Sequence, residues 1–462
     1  MKVMKFGGST FKTPEMLKKV VEIIRRDIGE TVVVISALHG QTNEIREHIS
    51  KIRTEKKVID DFIKNIREKH NSFARNTISN NGLLQNVLQI LDKHILKLER
   101  LLYGVAYTEE LTPRTTDLIL SSAERMSVYI MEGILLSQGI NAKAYEADKI
   151  GILTDGVFCH ATADLKGTEK NLRKLILPEL KTGMVPVITG FFGCDSEGRT
   201  TTFGKNGSDY SAAVIANALN SSVLELWKDV DGFMSADPII VKNAHTIEKL
   251  SYDEAAELAH FGIGLLHPRT VEPVKIKIIP IEIKNIQNPG GKGTRIVKKG
   301  YETPNVIKSV VYSTDLAEVK LSAIDAGHRP GVLAMISSLL NESNINIYSI
   351  TSSQTYLSLL IYKTDLQKSI KILDKISTSS IKGVDVQKDI ALVCVVGEGA
   401  AKSKGLAAKI FTSVANADVN VSIISAGASQ VALHFIVQKN DLKESIKAIH
   451  ETFCKVNTAE SN

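Results

Sequence analysis

Two short segments carry the residue types that handle phosphate. Lys5-Phe6-Gly7-Gly8-Ser9-Thr10 follows a strand-like run at the N-terminus, and Phe203-Gly204-Lys205-Asn206-Gly207-Ser208-Asp209-Tyr210 lies far downstream. Successive backbone N–H groups in a tight turn form an anion-binding concavity. Glycine lets that backbone approach the anion closely and adopt positive φ without a Cβ clash. The first segment adds two hydroxyls and a lysine; the second adds hydroxyl, lysine and carboxylate. A glycine pair alone usually makes only a turn. Two such turns in one chain point to a phosphoryl group passing between two bound molecules.

Other residues could join them. Ser36-Ala37-Leu38-His39-Gly40-Gln41-Thr42 follows the apolar run Val32–Ile35, so Ser36 and Thr42 can offer hydroxyls to a ligand at a strand end. Ser36 also reads as a cap for the next helix. Glu124 sits in Ser121-Ser122-Ala123-Glu124-Arg125-Met126, where a glutamate is by itself most often a surface or salt-bridged residue. Asp229, Asp231 and Asp237-Pro238 cluster after a strand, where carboxylates suit a metal or sugar hydroxyls, but Asp-Gly and Asp-Pro are also turn signals. His267 has no evident nucleophile partner and reads as a structural residue at a helix boundary.

The elements that must position these residues follow from the pattern. Val32–Ile35, Val185–Thr189, Val223–Trp227 and Ile279–Ile283 read as buried strands, and Pro14–Asp27 and Tyr210–Ala218 as helices. Alternating apolar strands and amphipathic helices predict a mainly parallel sheet between helical layers. Residues 56–104 are short of glycine, and Leu84, Val87, Leu88, Leu91, Ile95 and Leu98 recur at helical spacing, so this stretch reads as a packing insertion. After Asn288–Gly293 the texture changes. Asp365–Lys371 and Asp441–Lys447 share the pattern DLxxSIK 76 residues apart, each with an upstream glycine turn at Gly331 or Gly405. Two copies of a βαββαβ unit account for this.

Composition bounds the rest. The chain has 462 residues, which favours two or three domains. A net charge of +6 from 57 Lys+Arg against 51 Asp+Glu, without a basic cluster interleaved with aromatics, argues against nucleic acid. Cys159, Cys194, Cys394 and Cys454 lack CxxC spacing, so the expectation is a reducing, cytoplasmic setting without a disulfide or zinc framework. The first motif begins at once, leaving no room for a cleaved leader, and no apolar run approaches the ~20 residues of a membrane helix.

The ordered motifs resemble aspartate kinases of the amino-acid kinase superfamily along nearly the whole chain. The family patterns KFGGTS, SxxxxxTN, GERLS, GFxG with TLGRxGSDYSA, WTDVDGxxTxDPR, FGAxVLHPRT and KNT…P…GT correspond to Lys5–Thr10, Ser36–Asn43, Ala123–Ser127, Gly190–Gly193 with Thr202–Ala212, Trp227–Pro238, Phe261–Thr270 and Lys284–Thr294. The duplicated units resemble that family's paired ACT modules. The resemblance implies a three-layer α/β/α kinase domain over 1–300, followed by two ferredoxin-like ACT domains. The first would span 315–385, and the second, composite, 301–314 plus 386–455. It implies transfer of the ATP γ-phosphoryl group to the side-chain carboxylate of L-aspartate, with Mg²⁺ as the cofactor ion and no metal ligand assigned to the protein. Lys5 and Asp209 would be catalytic, with Lys5, Gly7, Gly8 and Ser9 on phosphate. Ser36, Thr42, Glu124, Phe191, Lys205 and Ser208 would hold aspartate. Lys228, Asp229, Met234, Asp237 and Pro238 would line the nucleotide pocket. Lysine or threonine would be the effector, near Asp325, Asn346, Ile347 and Ser352, in a homodimer or larger homo-oligomer.

Four departures stand out against the family pattern: Lys205 and Ile239 replace arginines, Met234 a tyrosine and Gly264 a lysine. Lysine offers a carboxylate a point charge where arginine grips it with two parallel bonds. Two other readings stay open: a catalytically weak regulatory paralogue, and a kinase for another amino-acid carboxylate.

Overall fold

A computed structural model describes residues 1–52, 57–261, 265–301, 305–323, 331–374 and 381–454. The chain divides into two compact units. The first comprises 1–233, 246–259 and 264–300; the second comprises 234–245, 260–263 and 301–462.

The first unit is built on an eight-stranded sheet. In chain order its strands are β1 (Lys2–Phe6), β2 (Thr31–Ile35), β3 (Ala142–Tyr145), β4 (Val185–Thr189), β7 (Val223–Lys228), β8 (Lys249–Ser251), β9 (Ile281–Asn285) and β10 (Thr294–Val297). A separate ribbon pairs β5 (Phe192–Cys194) with β6 (Thr200–Thr202). The order across the large sheet is β3-β4-β2-β1-β7-β9-β10-β8. Every pairing is parallel except β9 with β10. The β-branched residues Val32, Val33, Val34 and Ile35 are wholly buried, as a strand covered on both faces requires. Burying each such side chain contributes ~1.5–3 kcal/mol.

The order β4-β2-β1-β7 has a direct consequence. These four strands are neighbours and run the same way, so the turns after them emerge at one edge. Those segments begin at residues 7, 36, 190 and 229. Ligands of open parallel sheets bind at that carboxyl edge.

The helical insertion consists of Lys57–Thr77 and Asn81–Thr108. Asn80 caps the second, its side chain accepting the Leu83 N–H at 3.0 Å. Val87, Leu91, Ile95, Leu98, Leu102 and Val105 form its buried stripe, a packing face. The strand expected from Ile279 begins at Ile281, because Ile278 turns the chain with φ 56°.

The second unit contains two antiparallel four-stranded sheets. One, in the order β11-β16-β18-β17, consists of β11 (Ser309–Ser313), β16 (Ile390–Val396), β17 (Ile423–Ser425) and β18 (Ala432–Gln438). The other, in the order β13-β14-β12-β15, consists of β12 (Leu316–Ala323), β13 (Ile347–Ser352), β14 (Tyr356–Tyr362) and β15 (Ile381–Gln387). Helices Val332–Glu342 and Leu366–Leu373 bury Ile336, Leu340 and Leu366 against Val319, Leu359 and Ile361. Helices Leu406–Asn416 and Leu442–Phe453 bury Ile410, Ile446 and Ile449 against Val393 and Phe435. Gly331 (φ 90°) and Gly405 (φ 77°) start the first helix of each set in the left-handed region, which explains glycine at both places. Among the described residues, no helix is long and apolar enough to cross a membrane.

Candidate active site

Lys5 is the next-to-last residue of β1, and its side chain is 7% exposed. Its Nζ stands 2.7 Å from Asp209 Oδ1, and Lys228 Nζ stands 2.8 Å from Asp209 Oδ2. One buried carboxylate therefore spans two ammonium groups. Burial pushes the Asp209 carboxyl up, but Lys228 and Lys5 outweigh it and hold the group well below the usual carboxylate range. Burial pulls the Lys5 pKa down, opposed by Asp209. The cluster carries a net positive charge once Asp209 has neutralised one lysine. That is the electrostatic complement of a transferring phosphoryl group.

Asp209 lies in the first turn of the helix Gly207–Leu219, whose N-terminus favours negative charge. The turn after β1 explains its glycines. Thr10 closes it, with both its N–H and its hydroxyl donating to the Gly7 carbonyl at 2.9 and 2.6 Å. A Cβ on Gly8 would stand 2.8 Å from the Ala37 carbonyl oxygen, so only glycine lets this turn touch the one after β2. Ser9 is half-buried beside it.

Glu124 opens the helix Ser122–Ser137 and is 1% exposed. Thr42 donates to its Oε1 at 3.3 Å, while Oε2 is buried without a hydrogen-bond partner. Burial drives the Glu124 pKa up to about 8, against hydrogen bonds from the backbone and Thr42 and the nearby Lys5 charge. Among the described residues no cation forms an ion pair with this carboxylate, and a ligand ammonium would supply one. Ser208 Oγ lies 3.2 Å from Ser36 Oγ, joining the turn after β2 to the start of the Gly207 helix. Gly190 permits this: a Cβ there would stand 2.8 Å from Ser208 Cβ. Phe191 is buried with φ 76°, a costly conformation for an aromatic residue. Such strain persists only where surrounding structure enforces it. Here Phe203 N–H donates to the Phe191 carbonyl at 2.9 Å.

Lys5, Asp209 and Lys228 thus meet directly, as do Thr42 with Glu124 and Ser36 with Ser208. Lys205 is exposed in the turn before the Gly207 helix. Asp229 is also exposed, 3.6 Å from Lys12. Met234, Asp237 and Pro238 fall in the second unit, where Tyr312 OH donates to Asp237 Oδ2 at 2.8 Å. Asn346 and Ser352 are exposed on and beside β13, Ile347 is half-buried, and Asp325 lies outside the described residues. His267 has a local role: its Nδ1 accepts the Arg269 N–H at 3.2 Å.

The sequence did not reveal the framework beneath Glu124. Arg125, the next residue, is 4% exposed. It pairs with Glu146 and, at 2.5 Å, with Asp148, and sits 4.5 Å over the Phe192 ring. Ser127 Oγ accepts the Leu38 N–H at 3.1 Å, pinning the turn after β2. Arg125 and Ser127 share the Glu124 segment, but their partners lie on other strands and loops that one sequence does not connect.

A model of the amino acid kinase family matches residues 1–285, and one of the ACT domain matches 393–453. The chain is 30% identical to aspartokinase 1, chloroplastic, of Arabidopsis thaliana over 98% of its own length and 80% of the relative's. It resembles the crystal structure of E. coli aspartokinase III in complex with aspartate and ADP (R-state), with TM-score 0.83 and 26% identity, covering 98% of this chain and 100% of that one. The same protein in complex with lysine and aspartate (T-state) gives TM-score 0.82 at the same identity and coverage. With two phosphate-competent turns at the carboxyl edge of a parallel sheet and antiparallel modules downstream, the chain belongs to the aspartokinase family, an amino acid kinase domain joined to an ACT-containing C-terminal half.

Proposed function

We propose that this aspartokinase transfers the γ-phosphoryl group of ATP to the side-chain carboxylate of L-aspartate, forming 4-phospho-L-aspartate. The observation that carries the reading is the Lys5–Asp209–Lys228 cluster beside the buried Glu124 carboxylate, whose Oε2 has no hydrogen-bond partner among the described residues. The acceptor is ionised at neutral pH, with an ordinary pKa of about 3.9, so the reaction needs no general base. The site must instead bring two anions together and neutralise the charge that develops between them. Lys5, with the N–H groups of Gly7, Gly8 and Ser9, meets the phosphates. Asp209 holds Lys5 in place and opposes the lowering of its pKa by burial. Glu124, with Thr42, meets the aspartate ammonium; Ser36, Phe191 and Ser208 shape the pocket, and Lys205 meets the α-carboxylate. Lys228, Asp229, Met234, Asp237 and Pro238 meet the nucleotide.

Mg²⁺ fits this donor set only as the nucleotide's ion. Both Asp209 oxygens are engaged by lysines, so they are poor ligands for a protein-held metal. Bound to phosphate oxygens, Mg²⁺ supplies further charge neutralisation. The aspartate and ADP bound by the E. coli neighbour support the substrate pair.

We divide the chain into a kinase domain at 1–300, an ACT domain at 315–385 and a composite ACT domain at 301–314 plus 386–455. The pairing of β11 with β16 supports the composite assignment. The enzyme opens the route to lysine, threonine and methionine. Lysine, the ligand of the T-state neighbour, is the first effector to test, followed by threonine. Exposed edge strands β13 and β17, bearing Ile350 and Ile424, favour a homodimer through this half. Four free cysteines favour a reducing, cytoplasmic setting. The test is coupled ADP release with a panel of amino acids. Turnover with aspartate alone is expected. Turnover with another acid, or none, would move the chain to one of the two other readings.

A further inference from the structure

The segment Met234–His245 belongs by its packing to the C-terminal unit, although the chain on either side of it, through Phe233 and from Thr246, belongs to the kinase unit. Ala236 and Val241 are buried in the core formed by Val310, Ile446 and Phe453. Strand β11 supplies three hydrogen bonds to this segment. Ser309 Oγ donates to the Met234 carbonyl at 2.8 Å, Val310 N–H to the Ser235 carbonyl at 2.9 Å, and Tyr312 OH to Asp237 Oδ2 at 2.8 Å. A fourth tie comes from the helix Leu442–Phe453, whose buried His450 places Nε2 2.9 Å from Ser235 Oγ. β11 is an edge strand of its sheet, paired on one side with β16. The segment takes up hydrogen-bonding capacity on its other side.

Asp237 is fixed at both oxygens, since Oδ1 accepts the Ile239 N–H at 2.8 Å. Burial, followed by the Asp237 hydrogen bond, pushes the Tyr312 phenol up to about 12, so it remains a donor through neutral pH. Met234, Asp237 and Pro238 line one side of a 340 Å³ cavity whose other side is Val311, Tyr312 and Thr314.

We propose that Ser309 and Tyr312 are positioning residues for the nucleotide, so that β11 of the C-terminal unit sets ATP affinity by fixing Met234 and Asp237. The proposal rests on the reading that Met234, Asp237 and Pro238 contact the nucleotide. Aspartate binding does not use this segment, so the effect is selective. Freeing one oriented side chain weakens binding by about threefold to tenfold.

The test uses the full chain with Tyr312→Phe and Ser309→Ala, each of which removes a hydroxyl and leaves packing nearly intact. The KM for ATP and the calorimetric Kd for ADP should both rise about threefold to tenfold, while the aspartate KM and kcat stay within about twofold. Equal changes in both KM values, or an unchanged ADP Kd, would overturn the proposal. Met234→Ala and Asp237→Ala separate it from the reading beneath it. If they weaken ADP while Tyr312→Phe and Ser309→Ala do not, the positioning role falls and the nucleotide contacts stand. If all four leave ADP affinity unchanged, the nucleotide contacts fall too.

Discussion

As the proposed contact for the substrate ammonium, Glu124 should make aspartate binding depend on pH. The buried carboxyl has a pKa of about 8 before ligand arrives. If only the ionised form pairs with the substrate ammonium, the competent fraction is about 3% at pH 6.5 and about 24% at pH 7.5, and apparent affinity scales with that fraction. The aspartate KM should therefore fall roughly eightfold over that interval, with the ATP KM nearly flat. Binding should also release close to one proton at pH 7, measurable by calorimetry in buffers of different ionisation enthalpy. Glu124→Gln should have a high aspartate KM without this slope. Stability gives a second readout of opposite direction. The unfolded side chain loses its proton near its ordinary value of 4.5 and the folded one near 8, so the folded state binds more protons between them. Ligand-free stability should then decline by up to ~1.4 kcal/mol per pH unit as pH rises through that window. A wild-type aspartate KM that is flat from pH 6.5 to 7.5, or a Glu124→Gln variant that keeps the slope, would remove Glu124 from the ammonium contact.

Three further outcomes are expected. Lys5→Ala should fold normally and lose roughly two or more orders of magnitude in kcat, because it removes a charge from a water-poor site; near-normal turnover in a folded variant would take Lys5 out of the mechanism. Lys205→Arg should preserve activity or lower the aspartate KM by restoring a bidentate grip on the α-carboxylate, whereas a change confined to the ATP KM would reassign the residue. Lysine, threonine and methionine, assayed singly and in pairs, should include one that shifts both activity and melting temperature through differential affinity for two states. No response to any of them would remove the regulatory half of the reading while leaving the kinase half intact.

The strands that carry the site were legible because buried parallel strands are apolar on both faces. Val32–Ile35 and Val185–Thr189 needed no partner information. The Gly7-Gly8 turn was legible for a different reason, since a glycine pair after a strand marks a tight turn, whereas the close neighbours of Gly8 and Gly190 appear only in the fold. What stayed hidden depends on distance along the chain. The Asp209–Lys228 pair, the grip of Arg125 on Glu146 and Asp148, and the hydrogen bond from Tyr312 to Asp237 each join segments that only the folded topology brings together. The composition of Ser121–Met126 suggested a surface or salt-bridged glutamate. It did not announce that Glu124 would be sealed from water with one oxygen unpartnered.

The pairing of β11 with β16 sets a timetable for the ribosome. Ser309–Ser313 is made early but aligns with Leu392–Val396, and the whole of β12 to β15 is synthesised between them. At ~5–20 residues per second, the first strand waits several seconds for its neighbour. During that interval it carries an unpaired edge with Val310 and Val311, residues that end up buried. The intervening β12–β15 sheet can close meanwhile, turning a long flexible loop into a compact one and bringing the ends of β11 and β16 together. A released chain truncated before Ile390 should therefore hold a protease-resistant inner module and a cleavable Ser309–Ser313, and a chain extended through residue 454 should protect both.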